Sequence, residues 1–267
     1  MSGDAVRIVV AGCGGRMGRE VVAAAAGDGG VRVVGGTVRP GTLAGRGFGV
    51  VAGAAVEGAR VAEELGALLP EADVVVDFTT PSATLANAAA AAEARRRIVV
   101  GTTGLTPEQV EELRRLSQRA PTLYSRNMSL GVNALLELLP LLARALPGYD
   151  VEITEAHHRH KRDAPSGTAL ALGEAIARAL GGELGGLAVH GREGIAPRRP
   201  GEIGFHALRA GGNAGEHWVL FADEGEQVQV VHRAYSRRTF ALGALRAAKW
   251  LAAQPPGFYT MADLLRG

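Results

Sequence analysis

The sequence predicts an α/β protein in two parts: an N-terminal parallel sheet flanked by helices, and a second α+β domain with a mixed, largely open sheet. Three observations carry this reading. Short β-branched runs alternate with helical stretches through the first half, the pattern of strands buried on both faces. The first such run leads straight into a glycine-rich turn and a helix. Beyond about residue 128 the strand-like runs follow one another with few helices between them, as in a sheet built largely from adjacent strands.

The first strand is "VRIVVAG" (6–12), and "RMGREVVAAAAG" (16–27) is a helix with Gly27 near its end. "VRVVGGTV" (31–38) is the second strand. The glycine-rich segment 40–60, "PGTLAGRGFGVVAGAAVEGAR", breaks the rhythm and is expected to be a long mobile excursion. "ADVVVDFTTP" (72–81) is a third strand, closed by Pro81, and "SATLANAAAAAEARRR" (82–97) is a helix with Ser82 as its N-cap. "IVVGTTG" (98–104) is another strand and turn. Thr106 caps a helix that has Pro107 at its first position and runs to about Arg119, and "PTLYS" (121–125) adds a strand.

The second part begins with a long apolar helix, "NALLELLPLLARAL" (133–146), interrupted by Pro140. The strand "VEITE" (151–155) follows, then a helix from about Ser166. The runs "GEIGFHALRAG", "EHWVLFAD" and "EQVQVVHRAY" read as strands, the last two joined as a hairpin through "DEGE" (223–226). A final helix, "TFALGALRAAKWLAAQ" (239–254), can return to pack on either domain.

The bulk numbers narrow the function classes. The chain has 267 residues, 47% of them hydrophobic, enough to bury one large core or two modest ones. Lys and Arg total 29 against 27 Asp and Glu, a formal charge of +2, so nucleic-acid binding is not expected and positive charge has to act locally. Cys13 is the single cysteine, which leaves no intrachain disulfide and no multi-cysteine zinc site. The start "MSGDAVRIVVAG" lacks the pattern of a signal peptide, and no apolar run reaches spanning length, so neither a membrane partner nor export is expected and the setting is read as cytoplasmic.

Two stretches carry chemistry. "AGCGGRMGRE" lies between a strand and a helix, where a Rossmann-type fold holds a dinucleotide pyrophosphate against glycine backbone and a helix N-terminus. Gly12, Gly15 and Gly18 keep the spacing, while Met17 stands where the strict pattern has a glycine; the bland alternative is a tight strand–helix turn. No Asp or Glu lies between Asp28 and Glu57 to hold an adenosine ribose, and Arg39 is placed to meet a 2′-phosphate. NADPH is therefore expected to bind at least as well as NADH, against the alternative that Arg39 is a plain surface arginine. "GTTG" (101–104) supplies small residues at a later strand end, suited to cofactor contact or to an ordinary turn.

The second stretch is "EAHHRHKRDAPSGTAL" (155–170), with three histidines, two arginines and a lysine in six positions. Metal binding is opposed by Arg159, Lys161 and Arg162 around His157 and His160, and no metal is expected. A solvated basic loop is a second reading. The third is an anion-binding catalytic loop, with histidine for proton transfer, Lys161 among like charges as a proton donor, and the helix start at Gly167 and Thr168 for a carboxylate.

That stretch resembles the signature of the 4-hydroxy-tetrahydrodipicolinate reductase family, also called dihydrodipicolinate reductase. "VAGCGGRMGRE", "DFTTPSATL", "VVGTTG", "NMSLGVN", "GREG", "GEIGFHALRAG", "GEHWVLFAD" and "SRRTFALGALRAAKWL" fall in the family's order across nearly the whole chain. The resemblance implies an oxidoreductase of the diaminopimelate route to lysine that uses NADPH or NADH. It implies a dinucleotide-binding domain (1–127), a substrate-binding and oligomerisation domain (128–237), and a C-terminal helix (238–267) returning to the first. His157 and Lys161 match the family's catalytic proton-handling pair. His158, Gly167, Thr168 and Arg237 match positions that bind the small cyclic dicarboxylate. Gly12, Cys13, Gly14, Gly15, Arg16 and Met17, with Gly101, Thr102 and Thr103 and with Ser125, Arg126, Asn127 and Met128, match the cofactor-binding segments. The family is commonly a homotetramer joined through the second domain's sheets. Val38 stands where many members carry the ribose-binding acid, and "SRNMS" replaces the more usual small residues before Asn127. The alternatives are a related amino-acid dehydrogenase and a non-catalytic nicotinamide-nucleotide sensor.

Overall fold

The computed structural model describes residues 5–42 and 46–267. Backbone contacts divide the chain into two compact units, Met1–Leu130 with Arg237–Gly267, and Gly131–Ser236.

The first unit alternates strand and helix as its periodicity dictates. Strand β1 (Val6–Ala11), helix α1 (Arg16–Ala25) and strand β2 (Val31–Thr37) come first. The 40–60 segment is more ordered than its glycine content suggests. It contains helix α2 (Phe48–Ala52), whose Phe48 and Val51 are buried, and leads into strand β3 (Arg60–Ala62); residues 43–45 of that segment lie outside the described residues. Burying an aromatic and a valine outweighs the entropy that glycine brings to the backbone.

Two short 3₁₀ turns, Leu65–Ala67 and Leu69–Glu71, precede strand β4 (Val74–Asp77). Pro81 does not close that strand; it opens helix α3 (Pro81–Glu93) at the first helical position with Thr80 as N-cap, so Ser82 is already helical. Strand β5 (Arg97–Val100) follows, then helix α4 (Pro107–Leu116) with the expected Thr106 cap. Thr106 accepts from the Gln109 N–H while the Gln109 side chain accepts from the Thr106 N–H, a reciprocal capping box. Strand β6 (Thr122–Tyr124) ends this half.

In the second unit, helix α5 (Leu130–Ala145) starts at its edge and runs through Pro140 without interruption. Its face of Leu135, Leu139 and Ala143 is buried, and that burial outweighs the roughly 3 kcal/mol that an internal proline costs. Strand β7 (Asp150–His157) is longer than the expected 151–155 and carries the start of the histidine stretch on a strand. Helices α6 (Gly167–Ala179) and α7 (Leu184–Leu187) and strands β8 (Ala188–His190), β9 (Ile203–Arg209), β10 (Glu216–Ala222) and β11 (Gln227–Arg233) complete the unit. The order is β11-β10-β7-β9-β8. The β11–β10 and β10–β7 pairs are antiparallel and the β7–β9 and β9–β8 pairs parallel, so this is the mixed sheet expected. Val151, Ile153, Val219 and Phe221 pack with Leu172 and Ile176 of α6 and Leu139 of α5 into one core.

The chain then returns to the first unit through helix α8 (Arg238–Leu251), strand β12 (Phe258–Tyr259) and helix α9 (Met261–Arg266). The first sheet runs β12-β6-β5-β4-β1-β2-β3, every pair parallel. Helices α1 and α8 cover one face and α3 and α4 the other, each over its own apolar core. No helix among the described residues is long and apolar enough to cross a membrane.

Candidate active site

In the first unit, the turn between β1 and α1 is shaped by close approach. Gly12 has φ +78°, and a Cβ on Gly18 would lie 2.1 Å from the Gly12 carbonyl oxygen, so α1 can sit this near β1 only with glycine there. The Gly12 and Cys13 N–H groups both donate to the Thr37 carbonyl, and Gly15 donates back to the Gly12 carbonyl. The donors left at the helix start are those of the first turn from Arg16, where a helix N-terminus favours an anion. A cavity of about 500 Å³ opens at the carboxyl ends of β1, β2 and β4, lined by Gly12, Gly14, Gly15, Thr37, Val38, Arg39, Phe78 and Thr79 among others. A narrow glycine turn, a helix start and a cavity at the strand ends fit a dinucleotide. Arg39 is exposed in a loop pinned by the Gly41 N–H to Glu63 Oε1 at 2.9 Å.

Several residues read as cofactor contacts have side chains engaged elsewhere. Cys13 is fully buried against Gly36, and burial pushes its thiol up to about 11. Met128 lies in the core with α8, and Met17 packs partly against the same cluster. The buried Thr102 hydroxyl donates to Asp77 Oδ1 at 3.0 Å. Asp77, at the end of β4, also gathers the Thr79 N–H and hydroxyl and the Thr84 hydroxyl on Oδ1, and Asn87 on Oδ2. It thereby ties the 78–80 and 101–103 turns together, with Gly101 N–H donating to the Asp77 carbonyl. The sequence reading missed Asp77; its one signal was "DFTTP" at a strand end. Thr103 is exposed. Ser125 donates to the Asn127 carbonyl at 2.7 Å, Asn127 Oδ1 accepts from the Ser129 N–H, and Arg126 between them is exposed. Arg237 belongs to this first unit, exposed at the start of α8.

In the second unit, β7 delivers the histidines. Its alternation buries Val151, Ile153, Glu155 and His157 on one face. His157 Nδ1 lies 2.6 Å from Glu155 Oε2. Arg209 of β9 grips both Glu155 oxygens at 2.7 Å. Burial acts to raise the Glu155 carboxyl, but the Arg209 and His157 hydrogen bonds outweigh it and hold the group below the usual range. Burial pushes the His157 imidazole below its ordinary value, Glu155 opposes that, and the charges of Lys161 and Arg209 reinforce it. His217 of β10 stacks edge-on to His157 at 5.3 Å and, chiefly by burial, is pushed down to about 3. Its Nε2 meets the hydroxyl of Ser166, which caps α6 by accepting from the Ala169 N–H.

After β7 the chain turns, with the His158 N–H donating to the Asn213 carbonyl and the Lys161 N–H to the His158 carbonyl. His158 Nδ1 is buried with no hydrogen-bond partner among the described residues. Lys161 does not stand among cations alone: its ammonium donates to both oxygens of Asp163, at 2.8 and 2.9 Å. Asp163 sits two residues on, so a charge count over 157–162 could not see it. Burial acts to raise the Asp163 carboxyl, yet Lys161 and backbone donors including the Gly167 N–H hold it low. Gly167 and Thr168 open α6 as expected. Residues 155–169 thus bring together an imidazole, an ammonium and the first turn of a 13-residue helix. Among the described residues no group of three or more His, Cys, Asp or Glu side chains is placed to hold a metal ion.

Comparisons with known proteins agree along nearly the whole chain. The family models described as dihydrodipicolinate reductase, N-terminus and C-terminus, match residues 6–128 and 131–265. The chain is 52% identical over 262 residues to the 4-hydroxy-tetrahydrodipicolinate reductase of Rubrobacter xylanophilus, covering 97% of this chain and 98% of that one. It is 48% identical over 263 residues to that of Chromohalobacter salexigens, with the same coverage. Among solved structures, the dipicolinate-bound dihydrodipicolinate reductase of Paenisporosarcina sp. TG-14 is similar in fold, with a TM-score of 0.78, 24% identity, and 96% of this chain and 97% of that one covered.

Proposed function

The chain belongs to the dihydrodipicolinate reductase family, and on that premise we propose that it reduces 4-hydroxy-tetrahydrodipicolinate, by way of dihydrodipicolinate, to tetrahydrodipicolinate in the diaminopimelate route to lysine. The observation that carries this reading is the gathering of His157, Lys161 and the start of α6 in one stretch of the second unit.

The hydroxylated ring loses water to give a conjugated imine. A bound reduced nicotinamide supplies the hydride. His157 and Lys161 supply the proton that quenches the resulting enamine, so one hydride and one proton reduce the ring by two electrons. Lys161, His158 through an Nδ1 that has no hydrogen-bond partner among the described residues, and the first-turn N–H groups at Gly167 and Thr168 hold the ring carboxylates, and Arg237 adds a further cation. Holding both carboxylates fixes which ring face meets the hydride donor. The first-turn donors of α1 and the Gly12–Met17 turn hold the pyrophosphate.

NADPH binds at least as well as NADH in this reading. Val38 offers no carboxylate to a ribose 2′-hydroxyl, and Arg39 lines the same cavity. The assembly is a cytoplasmic homotetramer. Leu208 and Val231 are exposed on the face of the second unit's sheet away from its core, beside the half-buried Trp218 and Leu220, an apolar surface that supports burial between copies. Steady-state loss of nicotinamide absorbance with the cyclic dicarboxylate tests the function. Turnover that depends on the dicarboxylate is expected with both nucleotides; no turnover with either overturns it.

A further inference from the structure

We infer that Glu155 is a positioning residue for the reduction: clamped by Arg209, its carboxylate keeps the proton of His157 on Nδ1 and so leaves Nε2 as the atom that exchanges protons with the ring. This rests on the proposed reduction for its chemistry, and on geometry alone for the tautomer.

The strand period makes the pair. Residues two apart on β7 face the same way, which sets Glu155 beside His157. The register of the sheet brings the rest: His217 lies opposite Glu155 on β10, and Arg209 opposite His157 on β9. Glu155 is 1% exposed, and both its oxygens are in use. Oε1 accepts from Arg209 Nη2 at 2.7 Å and from the Ser166 N–H at 3.0 Å. Oε2 accepts from Arg209 Nη1 at 2.7 Å and meets His157 Nδ1 at 2.6 Å.

A carboxylate held this way by a bidentate guanidinium is ionised, and an ionised carboxylate only accepts. Nδ1 of His157 therefore has to donate, whether the ring is neutral or charged. The proton that comes and goes is the one on Nε2. A Cβ on Gly215 would lie 2.9 Å from that Nε2, so the backbone leaves room there only by being glycine. Glu155 serves a second purpose through Oε1: it holds the cap residue of α6, so imidazole and helix start are fixed by one group.

The charged and titratable groups facing His157 are Glu155 on its own strand, Lys161 on the following turn, Arg209 on β9 and the neutral His217 on β10. Of these, Glu155 alone favours the protonated ring. Removing its charge lowers the proton affinity of His157, and an activity that needs a protonated donor then declines at lower pH.

The test is ¹⁵N NMR of the histidines in the full chain, assigned with His157→Gln, beside the pH profile of kcat/KM, for the unmodified chain, Glu155→Gln and Glu155→Asp. In the unmodified chain Nδ1 stays protonated across the titration and Nε2 titrates. In Glu155→Gln the Nε2–H tautomer appears, the midpoint moves to lower pH, and kcat falls about 10- to 100-fold with the dicarboxylate KM within about threefold. Glu155→Asp restores part of the tautomer preference. The double variant Glu155→Gln/Arg209→Met removes the buried carboxylate together with its half-buried partner charge and gives the same result if the single variant does not fold. An unchanged tautomer and pH limb in a folded Gln variant, with or without a drop in kcat, overturns the inference. The NMR needs no substrate: an inert unmodified chain with the expected nitrogen shifts removes the proposed reduction and leaves the positioning role standing.

Discussion

The ammonium of Lys161 lies within 2.9 Å of both carboxylate oxygens of Asp163, and Asp163 in turn faces the Gly167 N–H at the start of α6. The two groups assigned to a substrate carboxylate are therefore already turned toward an internal one. Asp163 is largely exposed and Lys161 is not, so the acid is the mobile partner. A substrate carboxylate has to compete with it. Asp163→Asn should lower the KM for the dicarboxylate about two- to fivefold and leave kcat within about threefold, as expected for removing one partly exposed competing charge. Steady-state kinetics checks this, and a raised KM would show that Asp163 presents the lysine rather than competing for it.

Gly215 has φ +145°, a conformation that side chains rarely adopt, and its missing Cβ is the space beside His157 Nε2. His157 cannot swing away freely, because Glu155 holds its other nitrogen. Gly215→Ala should reduce kcat at least about tenfold and lower stability by about 1–3 kcal/mol from backbone strain. Urea unfolding and turnover measured on the same preparation separate the two effects.

The depressed pKa of His217 makes stability depend on pH. Below about 6.5 the unfolded chain takes up a proton that the buried imidazole, at about 3, refuses, so stability falls as pH drops between those values. The contribution approaches ~1.4 kcal/mol per pH unit. His157 and His232, also lowered, act in the same direction. Urea midpoints at pH 7, 6 and 5 should fall steadily in the unmodified chain and more shallowly in His217→Asn, which keeps a polar partner for Ser166.

Arg39 sets the nucleotide preference if it meets a 2′-phosphate. Arg39→Ala should raise the KM for NADPH about tenfold and leave that for NADH within about twofold, because loss of a charge-assisted contact affects only the phosphorylated ribose. Parallel changes with both nucleotides would make Arg39 an ordinary surface residue.

Where a structural cause was local, the sequence showed it. Thr106, Pro107 and Gln109 contain the whole capping box within four residues, and the β10–β11 hairpin is set by "DEGE". Local proline rules alone misled at Pro81, which starts a helix, and at Pro140, which a buried apolar face carries through. The two-residue strand β12 has no local signal, since its pairing with β6 spans more than a hundred residues. The histidine stretch was legible as chemistry, but its organisation was not. Glu155 stood at the head of the quoted motif with no role, because the residue that ionises it, Arg209, lies 54 positions away. Cys13, Thr102 and Met128 show the converse: a motif position marks where the backbone runs, and burial decides where the side chain goes.

Single-turnover loss of the nicotinamide absorbance band, recorded for the unmodified chain and for Lys161→Ala with the dicarboxylate present, tests most directly whether residues 155–168 manage the proton of the reduction. The lysine variant should bind NADPH with nearly unchanged affinity and lose the band at least about a hundredfold more slowly. A variant that turns over at the unmodified rate would contradict the assignment of the chemistry to this stretch.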